Sequence, residues 1–181
     1  MGVGDPLTST GRVILGMVGL GKTTGYDIKQ LVDRSTRFFW AASYGQIYPE
    51  LRRLEQAGLL RGHEEPTGGR LRTVYELTDA GHRALEEWLG SDLDLVGEMR
   101  DEGMLKLFFS DLAGPERQLQ IVRQMREALE RKHAQLSALH SHASAMSSGP
   151  RLTLEYGLGA TTWMIGWCRE TERRLSGREA A

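Results

Sequence analysis

The stretch from Ser43 to Leu60, Ser-Tyr-Gly-Gln-Ile-Tyr-Pro-Glu-Leu-Arg-Arg-Leu-Glu-Gln-Ala-Gly-Leu-Leu, constrains this chain more than any other. Ser43 has the side chain of a helix N-cap, able to accept from the free N–H groups of a first turn. Ile47, Leu51 and Leu54 recur at three- and four-residue spacing, which marks one buried helical face. Gln46, Glu50, Arg52, Arg53 and Gln56 fall on the opposite side. Gly58 supplies the left-handed position that stops a helix, and Leu59-Leu60 starts an extended segment. The expectation is a short helix with a basic outer face that ends where a strand begins.

Downstream, 59–64 and 73–77 read as two short strands joined by Pro66-Thr67-Gly68-Gly69-Arg70-Leu71-Arg72, a basic turn rich in Pro and Gly. Upstream, 11–18 and 26–32 read as amphipathic helices separated by Gly21-Lys22-Thr23-Thr24-Gly25. Three helices followed by a hairpin is the order of a winged helix-turn-helix. In that fold the third helix enters the major groove and the hairpin reaches phosphate or the neighbouring minor groove.

Side-chain chemistry assigns candidate contacts within this frame. Gln46 can donate to and accept from adenine, as a base-reading residue must. Tyr44, Tyr48, Arg52, Arg53, Lys29, Arg70 and Arg72 can bind phosphate and set register, with Ser43 and Tyr26 at the same face. Tyr48 has the alternative of packing, half-buried, with its hydroxyl in water, and Arg53 that of pairing with Glu50 or Glu55. Two arginines on a turn with two glycines have no core to fill, which favours a nucleic-acid contact for Arg70 and Arg72.

Phe38-Phe39-Trp40, the run from Ser43 to Glu55, Gly58-Leu59-Leu60, the run from Arg72 to Gly81, and Gly25-Tyr26-Asp27-Ile28 together resemble the PadR family of transcriptional regulators. The match is close over the first half and extends to the second only in its helical layout. The resemblance implies a bacterial cytoplasmic repressor with an N-terminal winged helix, a C-terminal helical dimerisation domain and, in many members, a small aromatic effector. The expected fold class is thus mainly α: a winged helix-turn-helix with a β-hairpin wing over residues 7–90, then a helical dimerisation domain over 91–177.

Composition fits that reading. No stretch approaches the roughly 20 apolar residues that span a bilayer, so no membrane partner is expected. The N-terminus has no basic start ahead of an apolar core, so export is not expected either. The lone Cys168 excludes an internal disulfide and a cysteine-rich metal site. The net charge of −1 argues against a nucleic-acid partner, but it is unevenly distributed. Between Lys22 and Tyr75, nine basic side chains face six acidic ones, a local excess of three.

In the second half, Gly114-Pro115-Glu116 signals a helix start. Val122, Leu129, Leu136 and Ala143 form one heptad row, and Met125, Leu139 and Met146 the other, interrupted by Lys132. That seam is expected to pair with a second copy, through Val122, Met125, Leu129, Leu136 and Leu139. The alternative is packing within one chain. A second helix is expected over 152–175, separated from the first by Ser147-Ser148-Gly149-Pro150. Tyr156, Trp163, Met164 and Trp167 on its adjoining turns are candidates to line an effector pocket, with plain core or dimer interface as the alternative; Trp40, just before the reading helix, is a further effector candidate that could sense movement between the domains, with hinge-region packing as its alternative. Residues 90–97 read as a connector and 98–112 as a shorter helix.

Two readings from other classes compete. Gly16-Met17-Val18-Gly19-Leu20-Gly21-Lys22-Thr23 satisfies the pattern of a phosphate-binding loop, which needs a buried strand before it and a helix after it. Leu107-Phe108-Phe109-Ser110-Asp111 imitates the strand that carries a magnesium-binding Asp. A winged helix used for protein contact is the other alternative. His63, His82, His133, His140 and His142 make no zinc motif and are expected to be solvated. No nucleophile elbow is present. No enzyme activity, cofactor or metal is expected. The expected partners are a palindromic duplex operator, a second copy and a small effector, in the cytoplasm.

Overall fold

The computed structural model describes residues 7–34, 44–67, 70–92, 101–140 and 146–179. Two compact units divide the chain, Met1–Asp94 and Leu95–Ala181.

The first unit contains α1 (Ser9–Gly19), α2 (Gly25–Arg34), α3 (Ile47–Gln56), β1 (Leu60–Thr67), β2 (Arg70–Leu77) and α4 (Asp79–Leu89). Thr8 caps α1, its hydroxyl accepting from Gly11 N–H at 2.9 Å. Gly21, at φ +82°, ends that helix. Thr24 starts α2: its hydroxyl accepts from Asp27 N–H at 3.1 Å and donates to the Asp27 carboxylate at 2.8 Å. Ile14 and Leu15 from α1, Ile28 and Val32 from α2, and Ile47, Leu51 and Leu54 from α3 form one core with Leu60 and Tyr75 of the hairpin. Each such aliphatic side chain contributes about 1.5–3 kcal/mol on burial, so this cluster, and not helix propensity, holds three short helices together.

The wing is tied in at its base, by a backbone bond and by the Thr78 side chain. Tyr75 N–H donates to Thr23 O at 2.7 Å, fixing β2 to the α1–α2 turn. Thr78 caps α4 through Gly81 N–H at 3.1 Å, and its hydroxyl donates to Gly58 O at 2.6 Å. Any side chain at Gly81 would force the backbone to shift, because a Cβ there would lie 2.1 Å from the Leu59 carbonyl oxygen.

Several expectations need correction. The reading helix starts at Ile47, after a 3-10 turn over Tyr44–Gln46, and Gln46 at its N-cap makes no side-chain cap bond. Ser43 and Trp40 lie outside the described residues. The hairpin is longer than its alternation suggests: Thr67 pairs with Arg70 and Glu65 with Arg72, so Arg72 lies within β2 and not on the turn. Backbone pairing continues past the apolar alternation because ladder bonds do not depend on side-chain type. Gly16 and Gly19 both lie within α1, where helical N–H groups are already bonded, so they form no phosphate cradle.

The second unit contains α5 (Glu102–Phe108), a 3-10 turn (Ser110–Ala113), α6 (Pro115–His140) and α7 (Ser148–Glu179). Residues 107–111 thus belong to a helix end and a turn, not to a strand. Pro150 falls in the first turn of α7, where its missing N–H is harmless, so the helix begins ahead of it. α6 and α7 run antiparallel: Arg126 Nε donates to Glu172 at 2.7 Å, Arg169 to Glu130 at 2.8 Å, and His133 Nδ1 lies 2.8 Å from the Thr161 hydroxyl. His133 is therefore an inter-helix contact, against the expectation that it is solvated. Arg126 also donates to Glu130 at 2.9 Å, and the bond to Glu172 raises its pKa.

This packing takes up part of the heptad seam. Val122 is fully buried and Leu136 is 4% exposed, and Met125 and Leu129 pack on the cluster of Leu119, Val122, Cys168 and Leu175. α7 of the same chain covers Val122 and Leu136 of that face, while Met125, Leu129 and Leu139 stay half-buried. Tyr156, Trp163 and Met164 point outward, at 78%, 69% and 40% exposure, while Trp167 packs on the core. Burial raises the Cys168 thiol pKa, which keeps it protonated.

Candidate nucleic-acid interface

With Ile47, Leu51 and Leu54 inward, α3 turns Gln46, Tyr48 and Arg52 to solvent. The Tyr48 side chain is half-exposed and its ring lies against Gly25, where an added Cβ would meet it at 2.7 Å. That contact joins α2 to α3, while about half of the residue stays open to solvent. On α2, Tyr26 is 63% exposed, its hydroxyl accepting from Gln30 Nε2 at 2.6 Å, and Lys29 is exposed one turn further on. Lys22 is exposed on the turn ahead of them. Gln46, Tyr48, Arg52, Tyr26 and Lys29 are thus all accessible on the two helices of the helix-turn-helix.

Arg53 differs. Its Nε donates to Glu50 Oε2 at 2.9 Å and its Nη2 to Glu50 Oε1 at 2.7 Å, a two-point grip. Glu50, expected on the outer face, is 9% exposed, and its Oε1 also accepts from the Thr8 hydroxyl at 2.5 Å. The bond from Arg53 lowers the Glu50 pKa against the opposing effect of burial, and the same bond raises that of Arg53. Gly11 lies beside this carboxylate: an added Cβ there would stand 2.8 Å from Glu50 Oε1, and the side chain would have to shift to make room.

On the wing, Arg72 donates to Glu65 at 3.0 Å, and His63 Nε2 lies 3.2 Å from the same carboxylate. Both contacts lower the Glu65 pKa, that with Arg72 first. The side chains of Tyr44 and Arg70 lie outside what is described. Among the described residues, no group of histidine, cysteine or carboxylate side chains is arranged to hold a metal ion. No helix described is long and apolar enough to cross a membrane.

A helix pinned by three buried apolar residues, with polar and basic side chains outward and a two-stranded wing behind it, defines a winged helix-turn-helix DNA-binding protein. Comparison with known proteins agrees. The transcriptional regulator PadR-like family matches residues 14–87, and the family described as virulence activator alpha C-term matches 99–176. The negative transcriptional regulator PadR of Bacillus subtilis (strain 168) is 31% identical over 137 residues, 75% of this chain and 74% of that protein. The crystal structure of Bacillus subtilis PadR in complex with operator DNA superposes with a TM-score of 0.82 at 26% identity, covering 91% of this chain and 97% of that one. The Vibrio cholerae virulence activator AphA superposes with a TM-score of 0.71, also at 26% identity, over 94% and 99%. The chain belongs to the PadR-like family and is a DNA-binding transcriptional regulator.

Proposed function

We propose that this regulator is a cytoplasmic homodimeric repressor that acts by binding alone and reads a palindromic operator with two copies of α3. The observation that carries the reading is the division of α3 into a core-locked face and an accessible face bearing Gln46, Tyr48 and Arg52. In this arrangement Gln46 meets a base edge, while Tyr48, Arg52, Tyr26 and Lys29 contact phosphates and set register. Ser43 and Tyr44, at the start of the reading segment, and Arg70, at the wing turn, join them. Residues 7–90 form the reading domain and 91–177 the domain that pairs the copies. Similarity to the operator-bound PadR of Bacillus subtilis supports the operator.

With Val122 and Leu136 covered, the outer face of α7 supplies a pairing surface. Leu152, Tyr156, Gly159, Trp163 and Gly166 alternate by four and three residues, a heptad row in which large side chains alternate with glycines. Leu152, Tyr156 and Trp163 are exposed, and no atom lies near where a Cβ would stand on Gly159 or Gly166. Two such helices pairing antiparallel place Trp163 opposite the partner's Gly159, Tyr156 opposite the partner's Gly166, and Glu155 beside the partner's Arg169. A second copy of the chain fits this face by shape and by charge.

A small, flat effector completes the proposal: it binds better to a dimer whose reading helices are wrongly spaced, so operator affinity falls by linkage. Leu105, Phe109, Ala113 and Ile121 line an open cleft of about 570 Å³ in the second unit, with Lys106 and Arg117 at its edge. An acidic aromatic compound suits that mixture of apolar wall and cation.

The test is fluorescence anisotropy with the chain's own upstream promoter DNA against a scrambled duplex, across a salt series. Promoter-selective binding that weakens steeply with salt and is indifferent to ATP and magnesium is expected. Equal binding to both duplexes refutes the reading.

A further inference from the structure

Resting on the reading of α3 and the wing as DNA contacts, we infer that Glu55 is a positioning residue: it latches the base of the wing to the reading helix and so sets where the wing arginines meet phosphate. Three observations meet at one rung of the hairpin. Gly62 pairs with Tyr75 across the ladder. The Tyr75 N–H donates to Thr23 O at 2.7 Å, and the Gly62 N–H donates to Glu55 Oε1 at 3.1 Å. An added Cβ at Gly62 would stand 2.6 Å from that same oxygen, so the carboxylate sits close against the glycine.

The ladder explains why a side chain is used there. Antiparallel pairs alternate between those that exchange both backbone bonds and those whose N–H groups point away from the ladder. Gly62 and Tyr75 are a pair of the second kind, since both N–H groups bond outside the hairpin. The two edges of the wing are thus held by different parts of the helix-turn-helix. The turn between α1 and α2 holds β2, and the last turn of α3 holds β1. Gly58, at φ +71°, turns the chain back so that Glu55 meets Gly62.

Beyond this rung the pairing runs on from His63 with Val74 to Thr67 with Arg70. Arg72, opposite Glu65, lies roughly 10 Å out along the strand, at about 3.4 Å per residue. A tilt at the rung is therefore carried out to Arg72 and to the turn beyond it. Loss of the Glu55 bond releases the β1 edge, so the wing arginines lose their register with phosphate while Ile47, Leu51 and Leu54 keep α3 in place.

Glu55 is exposed and its charge also repels DNA, so the deciding comparison is E55Q against E55A. Both remove the charge, and only E55Q keeps an oxygen within reach of Gly62. Anisotropy titrations over a salt series, on promoter and scrambled duplexes, compare the wild-type chain, R70A/R72A, and each Glu55 variant with and without R70A/R72A. Circular dichroism confirms folding, and NMR hydrogen exchange of the Gly62 amide reads the latch without DNA. E55A should bind both duplexes about fivefold more weakly than E55Q, the factor of about one hydrogen bond. Its salt slope should be flatter than that of E55Q by up to about 1.8 per protomer, at about 0.9 for each lost phosphate contact. Its Gly62 amide should exchange about fivefold faster than in E55Q. With Arg70 and Arg72 replaced, the two variants should bind alike. Should E55A not fold, G62A takes its place, because its methyl displaces the flexible carboxylate and should bring the same flattening. Equal binding by E55A and E55Q overturns the inference, and so does a difference that persists with both arginines gone. If R70A/R72A itself keeps the wild-type slope, the wing contact falls and the inference with it, before any Glu55 variant is compared. Equal affinity of the wild-type chain for both duplexes refutes the operator reading instead, and the comparison of E55A with E55Q on scrambled DNA still decides the latch.

Discussion

Arg72 and Glu65 face each other across the wing, one guanidinium nitrogen 3.0 Å from one carboxylate oxygen. An exposed pair of this kind contributes little to stability, but it does fix where the Arg72 charge lies in the absence of DNA. The wing thus presents Arg72 already partnered, and contact with phosphate requires exchange of one anion for another.

Replacing Glu65 with Gln should therefore tighten binding to promoter and scrambled DNA alike and steepen the salt slope. Replacing both Arg70 and Arg72 with Ala should weaken binding to every duplex and flatten the slope by up to about 1.8 per protomer, at about 0.9 for each lost phosphate contact. Anisotropy over a salt series measures both. An unchanged slope in the double variant removes the wing from the contact surface.

Glu50 should give stability a dependence on acid. Its carboxyl titrates below its ordinary value of 4.5 in the folded chain, chiefly because Arg53 donates to it. A group depressed by folding stabilises above its unfolded pKa, and the contribution fades as pH falls through the folded value. Urea denaturation from pH 6 down to pH 3 should show a loss below about 4.5 that is smaller in E50Q. Parallel curves for the two chains refute the assignment.

Gly81→Ala should destabilise the first unit by about 1–3 kcal/mol, since the new methyl meets the Leu59 carbonyl and no flexible side chain can yield. Gly16→Ala, in the middle of α1 with open space at the added methyl, should stabilise by about 0.5–1 kcal/mol. Chemical denaturation of the two variants separates backbone collision from helix propensity, and a neutral Gly81→Ala contradicts the packing.

The two faces of the α6–α7 pair should respond differently. Trp163→Glu on the open face should leave the helical circular dichroism intact and convert the dimer to monomer in sedimentation. Val122→Asp, in the sealed core, should unfold the second unit, because an unpaired carboxylate there has neither water nor a cation. A dimer that survives Trp163→Glu places the pairing surface elsewhere, with the exposed Phe108 and Leu112 the next residues to alter.

Cys168 should react with iodoacetamide only after denaturation, since its thiol is 1% exposed and burial raises its pKa. Rapid labelling of the native chain contradicts the packing of α7 on α6.

The sequence by itself determined the elements whose signals are local. The spacing of Ile47, Leu51 and Leu54 set the buried face of α3, Gly58 its end at φ +71°, and Pro115 the start of α6. These depend on helical period and backbone freedom, which neighbouring residues fully specify. Tertiary structure decided which partner each side chain meets. A charge on a helix reads as a solvated face until a residue 42 positions away donates to it, as Thr8 does to Glu50. The α6 heptads were legible as an apolar seam, but periodicity carries no information about whether the covering helix comes from the same chain or another; here α7 of the same chain covers Val122 and Leu136. The glycine-rich phosphate-loop pattern failed for the same reason: it specifies residue types, whereas a cradle for phosphate needs unbonded N–H groups, and α1 uses those of Gly16 and Gly19 in its own ladder.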